Sequence, residues 1–218
     1  MRKLLIGFLL FIPFFARAQV KIGPRGGINL SNFIYRLQYS GDNKGSDPYL
    51  LRFNAGVGIE IPLNEDDNWF LYTGPYYSGK GSGSGRKFFS SKQDTIRTYL
   101  NYIELPISVG YKFSERNGNR FIASAGFYAA YGFNGKIYWK GGRPETEKHL
   151  HRKEEEKYRR FEGGINFIAM YEIKSKWGVR LDYSRSIFNI HWPDDKQKNA
   201  VFGFSFFWYL NKRKNIEK

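Results

Sequence analysis

Residues 74–81 read Gly-Pro-Tyr-Tyr-Ser-Gly-Lys-Gly and come close to a phosphate-binding loop. In such a loop a glycine-rich backbone cradles phosphates, the lysine reaches them, and a Ser or Thr after the lysine holds magnesium where a helix begins. Here Gly81 follows Lys80 and the flanking residues read as strand, so nucleotide chemistry is not expected. The three histidines are the other candidates. His149 and His151 lack a clear third metal ligand. His191 precedes Trp192, Pro193, Asp194 and Asp195, and a histidine beside carboxylates acts as a base only when a partner aims it at a nucleophile. Turn chemistry accounts for Pro193-Asp194-Asp195 without catalysis. The expectation is therefore no enzyme, no cofactor and no metal.

The remaining chemistry is charge, placed at alternate positions in apolar runs. Arg25, Arg52, Lys112 and Arg180 fall on the same face of their runs as Glu60, Glu104, Glu162, Glu172 and Asp182. Side chains alternate across a strand, so the opposite face is left apolar. Residues 201–210 give the clearest case: Phe202, Phe204, Phe206, Trp208 and Leu210 share one face, and Gly203, Ser205, Phe207 and Tyr209 the other. A strand that crosses a membrane needs this pattern over about 9–11 residues.

Eight such runs can be drawn, at 21–33, 50–63, 69–80, 95–113, 120–138, 161–173, 177–189 and 200–210. Their connections alternate between long and short, as in barrels with short periplasmic turns, long external loops and both termini inside. The expected fold is all-β: an eight-stranded antiparallel up-and-down transmembrane β-barrel. Its narrow lumen must be filled by side chains, and charges there must be paired. The nine charged residues above form the expected lumen network, with Arg25 near Glu60 and Glu172 near Arg180 by strand depth. Phe204→Arg should impair assembly, and Ser205→Arg should be milder. Aromatic girdles are expected at both membrane interfaces, from Trp69, Tyr111, Phe113, Trp177, Trp208 and Tyr209 at one and Tyr77, Tyr99, Phe133 and Phe161 at the other. The Gly/Ser-rich residues 79–85 read as a flexible loop, and 145–158 as an external loop with one or two helical turns.

The chain opens with an export signal: Arg2 and Lys3, an apolar stretch over 4–15, and Ala16-Arg17-Ala18 as cleavage site. The expected division is a leader over 1–18 and a barrel domain over 19–218. There is no cysteine, which excludes both disulfides and a lipoprotein anchor. Aromatic residues at 19% and 24 glycines suit a barrel. The formal charge of +15 becomes +12 without Arg2, Lys3 and Arg17, so an anionic neighbour is expected. Export makes nucleic acid the wrong partner and glycolipid phosphate the right one. Lys80, Arg86, Lys87, Lys140, Arg143, Arg152 and Lys153 are the expected phosphate contacts at the outer rim.

Gly26-Gly27-Ile28-Asn29-Leu30-Ser31-Asn32-Phe33, Tyr99-Leu100-Asn101-Tyr102-Ile103-Glu104-Leu105-Pro106-Ile107, Ala125-Gly126-Phe127-Tyr128-Ala129-Ala130-Tyr131-Gly132, and Asp182-Tyr183-Ser184 with Phe188-Asn189-Ile190 resemble strands of the small outer-membrane β-barrel family labelled porin-family or PorT-family in Bacteroidetes-type bacteria. Phe127 stands where the family usually has proline. The resemblance implies an OmpA/OmpX-like barrel in the outer membrane and carries no catalytic residue. The expected role is structural or interactive, through long external loops that meet glycolipid or a protein partner. A narrow porin, or an accessory subunit of a secretion or gliding-type export machine, is the alternative, and an enzyme at the rim ranks last.

Overall fold

A computed structural model describes residues 20–37, 43–86, 94–115, 117–140, 148–150, 158–190 and 196–210. The leader expected over 1–18 therefore lies outside the described residues. The strands are β1 (Lys21–Leu37), β2 (Asn43–Ser46), β3 (Leu50–Pro62), β4 (Trp69–Thr73), β5 (Tyr76–Arg86), β6 (Asp94–Ser114), β7 (Arg120–Lys140), β8 (Lys148–Leu150), β9 (Phe161–Ile173), β10 (Trp177–Ser186) and β11 (Lys196–Trp208). Among the described residues there is no helix.

β2 continues into β3, β4 continues into β5, and the short β8 pairs with β7 off the main path, so the wall has eight strands. Neighbours in sequence pair antiparallel around the ring, and β1 pairs with both β3 and β11, which closes it. Closure leaves no wall edge and satisfies backbone groups within lipid. The wall break at Gly74-Pro75 keeps register, since Ile59 opposite Thr73 and Asn54 opposite Ser78 follow one frame. Gly74 has φ of 123°, a conformation that favours glycine.

The faces follow the alternation. Leu51, Phe53, Ile107, Phe127, Leu181 and Phe206 are exposed on the outer surface, while Asn54, Ser108, Tyr128, Arg180 and Ser205 are buried within. Connections 63–68, 115–119 and 174–176 lie at the end that holds Lys21 and Leu210. At the other end the wall extends further than its apolar band. Residues 79–85, expected as a flexible loop, are strand paired with β6 as far as Arg86 opposite Asp94. The ladder is built from backbone groups, so a run of glycine and serine can join it when the partner strand is long. Of the external loop expected over 145–158, residues 145–147 and 151–157 lie outside the described residues, and Lys148–Leu150 forms β8 against β7.

β7 carries one irregularity. Asn101 pairs with Asn134 but Tyr102 with Gly132, leaving Phe133 as the extra residue of a bulge. The bulge reverses the facing, so Gly132 is buried on one side of it and Gly135 and Ile137 on the other.

Candidate functional site

The lumen is the only region where charged side chains converge among the described residues. Two ion clusters form there. At the turn end, Lys21 donates to both oxygens of Glu172 at 3.1 Å and lies 3.6 Å from Glu60. Lys112 donates to Glu60 and, at 2.7 Å, to Asp67, which also accepts from Arg120 at 3.2 Å. Tyr209 completes Glu60 with a hydroxyl at 3.1 Å. Asp67 sits in the turn after β3. Burial works against its charge, but Lys112 foremost, with Lys21 and Arg120, holds its carboxyl below the ordinary aspartate value.

Nearer the outer end, Lys80 lies 2.8 Å from Glu104 and 3.0 Å from Glu162. Tyr128 and Asn199 donate to the two oxygens of Glu162, each at 2.6 Å, and Tyr76 donates to Glu104. Between the clusters, Ser205 and Asn29 meet on the Asn54 amide, and Ser108 donates to Asn166. Arg180 donates to Asp182 at 3.0 Å and faces the Tyr72 ring, while the Arg25 guanidinium lies 3.6 Å from the Tyr76 ring centre.

Two layers of apolar side chains cross the lumen. Phe33, Leu100, Tyr102, Ile137, Tyr158 and Ile190 pack together at the outer end. Phe70, Tyr72, Ile122, Ile168, Met170 and Phe207 pack at the turn end. The Lys80 cluster lies between these apolar layers, whereas Glu172, Arg120 and Asp67 of the turn-end cluster lie nearer the turns than Ile122 and Met170.

Over residues 15–191 the chain matches the family model described as an outer membrane protein beta-barrel domain. The chain belongs to that family. As an outer-membrane β-barrel it is similar to three solved structures. These are Ail, the attachment invasion locus protein of Yersinia pestis (12% identity, 86% of this chain and 98% of that one, TM-score 0.39), Neisserial surface protein A (7%, 87% and 96%, 0.37) and OprG of Pseudomonas aeruginosa (8%, 88% and 96%, 0.41). No curated protein matches it.

Most of the expected lumen residues are in this outer-membrane barrel's lumen, with different partners. Glu60 is held by Lys112 and Lys21 and not by Arg25; Glu172 is held by Lys21 and Arg120 and not by Arg180. Depth along separate strands does not specify azimuth around the ring. Arg52 leaves the network. It donates to Asn101 at 2.6 Å and lies over the Tyr99 ring, both on outward-facing positions. β3 pairs with β5 only from Asn54 to Gly56, and Gly79 alongside has no side chain, so the long arginine passes across.

Lys80, expected among lipid phosphates, is fully buried in the lumen. It shares a buried face with Tyr76 and Ser78, and Gly79 and Gly81 at the alternate positions beside it carry no side chain. Gly81 has φ of 135°, and a Cβ there would collide with the Thr98 carbonyl oxygen. The residues that resemble a phosphate loop therefore carry a lysine inward to two carboxylates. Tyr209, expected in a girdle, is buried on Glu60. Arg86 and Lys140 lie on strand backbone at the outer end, and Lys87, Arg143, Arg152 and Lys153, with His151, His191, Asp194 and Asp195, lie outside the described residues.

Sequence reasoning missed Lys21, Asp67 and Arg120. Lys21 shares the face of Arg25 and was legible by alternation. Asp67 is in a turn and Arg120 at a strand end, where alternation carries no signal.

Proposed function

We propose that this protein is a closed barrel that acts through its outer rim and conducts no solutes. The carrying observation is the packed lumen: Phe33, Leu100 and Ile190 at the outer end are at most 1% exposed, and Lys80, Glu60 and Glu172 below them are fully buried. A conducting barrel needs a continuous wet path, which an eight-stranded wall barely has room for. β6 and β7, at 21 residues each, are about twice the length a crossing requires, which supports a platform standing beyond the bilayer. Arg86 and Lys140, whose backbones reach that end, are assigned with Lys87, Arg143, Arg152 and Lys153 of the sequence to glycolipid phosphates, and the rim to a protein partner.

The test is reconstitution of the full barrel in planar bilayers, with mild-detergent co-purification from the native membrane. The expected results are a silent bilayer and a stoichiometric protein or glycolipid companion. Steady single-channel steps would overturn the closed-barrel reading. Isolation without any companion would overturn the rim reading. A companion drawn from an export machine would make the protein an accessory subunit of it.

A further inference from the structure

The outer wall carries a cleft. It lies at the turn end, where Pro24 and Gly26 of β1 form a low floor beside a wall of Trp177, Phe206 and Trp208. Its volume is about 520 Å³, within the roughly 300–1,000 Å³ typical of ligand clefts. Gly26 pairs with Phe206 and faces outward, and a Cβ there would meet nothing nearer than the Asn54 carbonyl at 3.7 Å. The depression is therefore open space above the strand. Trp177, Phe206 and Trp208 are each about half exposed on the lipid-facing surface. At the mouth, in the 174–176 turn, the Lys176 ammonium is held 5.0 Å above the Trp208 ring.

We propose that this cleft binds one anionic phospholipid of the periplasmic leaflet. An acyl chain lies over Pro24 and Gly26 against the aromatic wall, and the phosphate meets Lys176. The occupant follows from the position. A barrel in the outer membrane turns this surface to lipid, so chains must fill the depression, because an unfilled cavity forfeits dispersion contacts. The short turns mark the periplasmic side. A lysine at that level attracts anionic headgroups and has no preference for net-neutral ones of this kind. Trp208 serves as both chain contact and lysine rest, a role suited to an interfacial indole.

The experiment is native mass spectrometry of the whole barrel released from detergent containing phosphatidylglycerol or, separately, phosphatidylcholine. Folding of each protein is checked by far-ultraviolet circular dichroism. Wild type is expected to retain one phosphatidylglycerol and little phosphatidylcholine. Gly26→Leu, which fills the floor, should retain neither. Lys176→Ala should lower phosphatidylglycerol retention about five-fold, the effect of one lysine near an anionic surface. Lys176 is in a surface turn, so its variant keeps the test decisive should Gly26→Leu not assemble. Unchanged retention in both variants would overturn the site. Equal retention of the two lipids, unmoved by Lys176→Ala, would overturn the headgroup assignment.

Discussion

Lys80 and Glu162 are 82 positions apart in the chain, yet the ammonium donates to the carboxylate at 3.0 Å with both side chains fully buried. Glu104 stands on the other side of the same ammonium at 2.8 Å. One lysine thus serves two carboxylates, and tyrosine and asparagine donors satisfy much of what remains. Removing Lys80 leaves buried negative charge with no cation. Lys80→Ala should destabilise the barrel by about 3–5 kcal/mol, the usual cost of orphaning a buried ion. Replacing the group together, as Lys80→Met with Glu104→Gln and Glu162→Gln, should recover most of that loss. Urea unfolding of the refolded protein in lipid vesicles measures both, and a single variant within about 1 kcal/mol of wild type would refute the pairing.

Ser205 and Phe204 are adjacent but face opposite ways. Ser205 is fully buried and donates to Asn54 at 2.9 Å, with Arg180 opposite it on β10. The milder effect expected for Ser205→Arg does not survive this geometry. The lumen has no room for another guanidinium, and the new charge would face an existing one. Phe204→Arg should cost about 2–4 kcal/mol if it lies near mid-membrane. Ser205→Arg should block assembly altogether. The yield of heat-modifiable folded barrel distinguishes the two, and normal yield from Ser205→Arg would show that the lumen is looser than described.

Asp67 links stability to acid pH. Its carboxyl titrates below the ordinary aspartate value in the folded protein, so the native state favours the charged form. The stability this contributes is complete above the unfolded value of about 4 and is lost as pH falls through the lower native value. Asp67→Asn should therefore flatten part of the acid limb of a stability–pH profile while lowering stability at neutral pH. An acid limb identical to wild type would exclude the Asp67–Lys112 pairing from the cause.

The outer plug rests on Phe33, whose ring centre lies 5.8 Å from that of Tyr158. Phe33→Ala should cost about 3–5 kcal/mol by leaving a cavity. It should still give no conductance, because the Lys80 cluster and the apolar layer at the turn end remain. Appearance of channel steps in this variant alone would mean that the plug is the only barrier.

Much of the architecture was legible from alternation. β9 runs over the expected residues, and the outward set Phe202, Phe204, Phe206, Trp208 and Leu210 matches because a period of two leaves each strand only two ways to face. The lumen character of Glu60, Glu104, Lys112, Glu162, Glu172 and Arg180 followed from the same rule, since lipid excludes charge from the other face. Residues 79–86 were not legible as strand, because glycine and serine bear no face signal and the ladder there is set by β6.

The sequence by itself determined the fold class, the lipid-facing surface and the buried character of the lumen charges, because side-chain alternation and the exclusion of charge from lipid are local constraints. Only the tertiary structure decided which charges meet. Closure of the ring brings Lys21 of the first strand to Glu172 of β9, and Lys80 between Glu104 and Glu162. It also decided the exceptions: the bulge at Phe133 that turns Ile137 into the plug, and the gap that lets Arg52 out. These depend on register, twist and the space left by neighbouring strands, which are properties of the closed wall and not of any one segment.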